Sequence, residues 1–154
     1  SLILSPDILT QSQTKVKLPN LTLNTLTNQQ INLKEDLDQK SILLFMLPQS
    51  TSCKQQLKEL QRLQQEYQAN YYLYAIAIGN SSSKQLQQLQ QELKLNFPII
   101  IDRQAKLSDQ LLVSAIPTLI FVNNQAQVVE RHVGLLNLSD LKQNLKSITK
   151  VKKN

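Results

Sequence analysis

The apolar positions of this chain follow three rhythms. Ser41-Ile-Leu-Leu-Phe-Met-Leu47, ended by Pro48, and Tyr71-Tyr-Leu-Tyr-Ala-Ile-Ala-Ile78, ended by Gly79-Asn80, are continuous runs. Strands without alternation are buried on both faces, as when helices cover a parallel sheet from two sides. Thr118-Leu-Ile-Phe-Val122 is a third such strand, and Phe97-Pro98-Ile-Ile-Ile101 a shorter one entering Asp102. A second rhythm alternates: Leu21 and Leu23 stand opposite Thr22 and Asn24, which suits a half-buried strand. Ile31-Asn32-Leu33 follows a turn signal at residues 27–30, and Gln127 to Val133 reads as the antiparallel partner of the 118–122 strand. The third rhythm is helical. Residues 51–68 carry Cys53, Leu57, Leu60 and Tyr67 on one stripe. Leu86, Leu89 and Leu93 follow the Ser81–Ser83 cap candidates, and Ser139 starts a terminal helix with Leu141, Leu145 and Ile148 behind it. Shorter helical turns are expected at 106–113 and at Lys34–Gln39.

The order β-β-β-α-β-α-β-α-β-β-α predicts one three-layer α/β domain with a mixed sheet. Its boundaries read as an N-terminal arm or leader remnant over 1–17, a domain over 18–148 and a basic tail over 149–154. In open sheets of this kind, chemistry gathers at the carboxyl ends of strands. That directs attention to Pro48–Cys53.

Composition narrows the chemistry. The 154 residues carry a formal net charge of +6, but Lys146, Lys150, Lys152 and Lys153 concentrate it at the C-terminus. Such a tail can meet nucleic acid or anionic lipid. The plainer reading is a solvated helix end whose cations suit the dipole, and no nucleic-acid partner is expected. The 22 glutamines are dispersed through amphipathic patterns and read as neutral choices for solvated faces. Two glycines, Gly79 and Gly134, exclude glycine-rich phosphate loops. No apolar run approaches the roughly 20 residues of a membrane-spanning helix. The first residue, Ser1, is consistent with a removed signal or anchor, hence with membrane tethering upstream. One cysteine, Cys53, excludes an internal disulfide and a cysteine-cluster metal site, and the one histidine, His132, excludes a multi-histidine zinc site. No cofactor is implied.

Cys53 stands in the expected first turn of the 51–68 helix. There the positive end of the dipole, the unpaired N–H groups and the adjoining Lys54 favour thiolate, the nucleophilic form. Equally, Cys53 shares the apolar stripe and reads as a small buried hydrophobe. Pro117 immediately precedes a sheet strand, where it is either a cis-proline or a plain strand opener. His132 reads as a solvated strand residue, and Asp102 as a turn or helix cap.

Strand, helix-starting cysteine, then Ala115-Ile116-Pro117-Thr118 before an apolar strand and hairpin resemble the thioredoxin superfamily. Leu18-Pro19-Asn20-Leu-Thr-Leu, Ile31-Asn-Leu-Lys-Glu-Asp-Leu and Phe97-Pro98-Ile-Ile-Ile-Asp102 are similar to the branch holding the TlpA/ResA-type thioredoxins and the AhpC/TSA peroxiredoxins. The resemblance covers about residues 18–148. It implies a three-layer α/β/α thioredoxin-like fold with a mixed central sheet and an N-terminal β extension, and it makes Pro117 the family's cis-proline. It also implies that Ile116 and Thr51 line the substrate site.

The active-site motif departs from that pattern. TlpA/ResA-type proteins carry Trp-Cys-x-x-Cys, whereas this chain reads Gln49-Ser50-Thr51-Ser52-Cys53. Cys53 falls on the second cysteine and Ser50 on the first. A serine forms no mixed disulfide, so the two-thiol cycle is closed within this chain. The family's buried acid near the end of the second strand is missing from Ala75-Ile-Ala-Ile78, and Ala126 replaces the glycine of the late hairpin. Peroxiredoxins offer Pro-x-x-x-Thr/Ser-x-x-Cys with a remote arginine. Here Ser50-x-x-Cys53 keeps the final spacing, Pro48 sits two residues before Ser50 rather than four, and Arg103 or Arg131 would have to serve.

Three functions follow. The first is a thioredoxin-like redox protein with Cys53 as its sole redox-capable side chain, Ser50 orienting it, Pro117 shaping a groove, and a protein or small-molecule thiol or disulfide as partner. The second is a non-catalytic thioredoxin-fold binding module. The third is a one-cysteine peroxidase. The resemblance to TlpA/ResA-type proteins implies a periplasmic setting, with the cytoplasm as alternative.

Overall fold

The computed structural model describes residues 16–152; of the arm expected over 1–17, residues 1–15 lie outside the described residues. The continuous apolar runs become β3 (Lys40–Met46), β4 (Tyr71–Ile78), β5 (Ile99–Asp102) and β6 (Thr118–Val122); β7 (Val128–Val133) closes a hairpin with β6. These five form one sheet in the order β5-β4-β3-β6-β7. β3 pairs in parallel with β4, and β4 with β5, while β6 runs antiparallel to both β3 and β7. β1 (Thr22–Asn24) and β2 (Gln30–Asn32) form a separate antiparallel hairpin, tied to the main sheet through a bridge between Thr25 and Ile100.

Alternate residues of the central strands face two distinct cores. One holds Ile42, Leu44 and Met46 against α1 (Thr51–Glu66), α2 (Ser83–Leu93) and α4 (Leu138–Ser147). The other holds Leu43 and Phe45 against α3 (Lys106–Gln110), the β1–β2 hairpin and Leu18. The three layers and mixed sheet therefore match the sequence expectation, and the N-terminal β extension is the hairpin. Leu57, Leu60 and Leu63 of α1 are each fully buried, worth about 1.5–3 kcal/mol apiece by transfer.

Local chemistry sets the ends of the elements. Ser82 caps α2 with a reciprocal capping box to Gln85. α4 begins at Leu138 with Asn137 as its cap, not at Ser139, because the Asn137 side chain accepts the N–H of Asp140. α1 stops at Glu66, two residues short of expectation, where Tyr67 turns extended. Lys34–Gln39 forms turns without a helix; the Asn32 side chain takes the N–H groups of Lys34 and Glu35. Past α4 the chain is docked rather than free in solvent: the Asn124 side-chain amide donates to the Val151 carbonyl and accepts its N–H, both at 2.8 Å. Among the described residues no helix is long and apolar enough to cross a membrane.

Candidate functional site

β3 delivers the chain through Leu47 and a buried Pro48 into the start of α1. Ser50 is extended (φ −76°, ψ 122°), and its hydroxyl accepts the backbone N–H of Cys53 at 3.2 Å. Its backbone carbonyl takes the N–H of Lys54 at 3.0 Å. Ser50 is therefore the helix cap; it meets the peptide group of Cys53, not the sulfur. Thr51 and Ser52, the first two helical residues, are exposed. Cys53, the third, turns inward and is 0% exposed, packed in the core that contains Met46, Leu57 and Leu119. The apolar-stripe reading of Cys53 is the one the geometry realises.

On the other side of β3 the register pairs Phe45 with Thr118, so Pro117 stands level with Met46 and the entry to the Ser50 turn. The Ile116–Pro117 peptide bond is cis. Pro117 is buried, its carbonyl accepts the N–H of Gly134 at 2.9 Å, and the Thr118 hydroxyl donates to the Ala115 carbonyl at 2.6 Å. Gly134 adopts φ +97°, a conformation that glycine takes without strain. Ile116 is half-buried and packs on the same core as Cys53. Its own backbone N–H and C=O have no hydrogen-bond partner among the described residues. Cys53, Ser50, Thr51, Ile116 and Pro117 are thus gathered at one end of the sheet.

The remaining candidates lie on other business. Arg103 reaches the Ser81 carbonyl and the Ser83 hydroxyl at 3.4 and 3.3 Å. Arg131 holds the carbonyls of Leu111 and Leu112. Among the described residues neither hydrogen-bonds to residues 50–53. His132, half-buried on β7, meets the Leu135 carbonyl at 3.2 Å. Asp102 is 1% exposed and stands beside Ile78 in the β4–β5 register. Its two oxygens accept the N–H groups of Leu107 and Ser108 at 3.3 and 3.0 Å, so it caps α3.

One residue of the site region departs from the sequence expectation. Gln56 is fully buried, not on a solvated face. Its side chain donates to the Leu136 carbonyl at 3.0 Å and accepts the Leu136 N–H at 2.8 Å, fastening α1 to the loop before α4. The signal was available: position 56 lies three past Cys53 and four before Leu60, on the apolar stripe. Beside the Ser50 turn lies a groove of about 360 Å³, between Gln49 and Lys54 on one wall and Gln85 and Glu92 on the other.

Comparison with known families matches residues 14–131 to the AhpC/TSA family. Among curated proteins, the chain is 26% identical over 129 residues to the thioredoxin-like protein YneN of Bacillus subtilis, covering 82% of this chain and 75% of that protein. Among solved structures, MTB DsbF superposes with a TM-score of 0.78 at 14% identity, covering 88% of this chain and 100% of the other. A secreted Mycobacterium tuberculosis disulfide oxidoreductase homologous to E. coli DsbE superposes with a TM-score of 0.70 at 16% identity, covering 83% and 96%. At such identities the structural likeness speaks of fold.

Proposed function

The chain belongs to the AhpC/TSA family, and from that premise we propose that it is a thioredoxin-like binding protein that no longer runs a two-thiol cycle. The observation that carries this reading is the complete burial of Cys53 behind a helix start capped by Ser50. Disulfide exchange requires a thiolate to approach a substrate sulfur in line, and a sulfur without solvent contact offers no such approach. Serine at position 50, half-buried at the head of the motif, supplies no replacement nucleophile.

Binding is a different matter. Among the described residues Ile116 leaves its backbone donor and acceptor unpaired beside Pro117, the pair that an extended polypeptide needs to add itself as a short strand. Thr51 and the wall of the neighbouring groove would flank the bound segment, and Pro117 would set the direction of the Ile116 backbone. Its partner would be a polypeptide, held without covalent capture. A secreted disulfide oxidoreductase among the structural neighbours supports a setting outside the cytoplasm, such as the periplasm.

The test uses reduced, carboxymethylated α-lactalbumin, an unfolded chain without free thiols. Titrated into the labelled protein, it should shift the amide signals of Ile116 and Thr118 saturably, and to the same extent in Cys53→Ser. Absence of any shift would refute the binding site. If instead an unmodified thiol-bearing chain is captured as a mixed disulfide that Cys53→Ser abolishes, the single-thiol redox reading takes its place.

A further inference from the structure

A second concavity lies at the carboxyl end of β5, away from Ser50–Cys53 and Pro117. It measures about 290 Å³ and is bounded by the β1 segment on one side and the Asp102–Lys106 turn on the other. Open α/β sheets bind ligands in such places, outside the carboxyl ends of their strands. Its walls differ in character. Leu21, Leu23 and Ile101 contribute apolar surface, while Arg103 and Lys106 contribute two cations.

The charge balance of this cleft is one-sided. Among the described residues Asp102 is its only lining acid, and both Asp102 oxygens are directed at the N–H groups of Leu107 and Ser108. Its charge is thus dispersed into α3 and away from the cleft. Among the described residues Arg103 touches only Ser81 and Ser83, at long distances and through one terminal nitrogen, which leaves the rest of its donor fork without a partner there. Ser83, the first residue of α2, also lines the cleft, and no acidic residue occupies the first turn of that helix. The positive end of the α2 dipole therefore adds to the two cations. The turn carrying them is held by backbone geometry: Ala105 sits at φ +56° and its N–H donates to the Asp102 carbonyl at 3.1 Å.

We propose that this cleft is a binding site for a small organic carboxylate with a short apolar body. The carboxylate would lie against Arg103 and Lys106, where a guanidinium fork recognises it bidentately. The apolar body would rest on Leu21, Leu23 and Ile101. A purely inorganic anion would leave that wall unused, and a neutral analogue would leave the two cations unmatched. The proposal does not depend on the polypeptide-binding reading, since no residue of the Ser50 or Pro117 turns lines the cleft.

Hexanoate serves as the probe, followed by methyl and amide NMR on the full chain. It should shift the methyl signals of Leu21, Leu23 and Ile101 saturably, and Arg103→Gln with Lys106→Gln should weaken binding about tenfold or more. Both side chains are exposed, so the double variant should keep its fold, checked by an unchanged unfolding midpoint; Arg103→Lys alone should restore part of the affinity. Hexanol, and separately inorganic phosphate, should bind more weakly than hexanoate. No saturable shift, equal affinity of the double variant, or equal binding of hexanol would overturn the site. Phosphate binding as tightly as hexanoate would overturn the role of the apolar wall.

Discussion

Two turns face each other across the end of β3, and they have kept different halves of one inheritance. The Ser50–Cys53 turn has closed on itself: its hydroxyl caps the helix and its sulfur lies in the core. The Ile116–Pro117 turn remains open, with its flanking groups held by Gly134 and Thr118 and the Ile116 backbone unpaired among the described residues. On the proposed reading, nucleophile and binding edge are physically separable in this fold. Reactivity depends on one exposed atom, which a single side-chain replacement removes. The proposed binding edge depends on backbone placement, which the β3–β6 register sets.

If the Cys53 turn belongs to the core, then charging it should be the most damaging change. Cys53→Asp buries a carboxylate among Met46, Leu57 and Leu119 and should cost more than about 3 kcal/mol in urea unfolding. A loss below about 1 kcal/mol would mean that the turn opens to water easily. Next comes the fastening of α1: Gln56→Leu leaves the N–H and carbonyl of Leu136 without their partner and should cost about 2 kcal/mol. Ser50→Ala removes only the cap and should cost about 1 kcal/mol, recovered largely by Ser50→Asp. At the small end, Thr51→Ala alters an exposed side chain and should stay within about 0.5 kcal/mol, with any loss confined to polypeptide binding. An equal stability loss at Thr51 and Ser50 would erase the contrast between cap and contact.

The frame of this molecule was legible from its apolar rhythm because burial imposes period. Continuous runs at 41–47, 71–78 and 118–122 became the three middle strands, and the helical stripes of 51–68 and 86–93 became the faces of α1 and α2. What escaped were choices decided by a single hydrogen bond. Asn137 rather than Ser139 caps α4, since either residue type suits a helix start and only the loop geometry chooses. Ala126 shows how strongly tertiary context acts: it adopts φ +57° and is 1% exposed, so the hairpin keeps a glycine-like turn without glycine. At the site, the residues were identifiable by position, but the orientation of Cys53 was not. Its place in the first helical turn and its place on the apolar stripe pointed opposite ways, and only packing decided between them.

The proposed loss of thiol chemistry requires Cys53 to be sealed, and alkylation by iodoacetamide of the native protein reads that directly. Cys53 should remain unmodified in the folded chain across neutral to mildly alkaline pH, and label fully once the protein is unfolded in urea. Labelling of the native chain as fast as that of the unfolded one would contradict the claim and return the thiol to the surface as a working nucleophile.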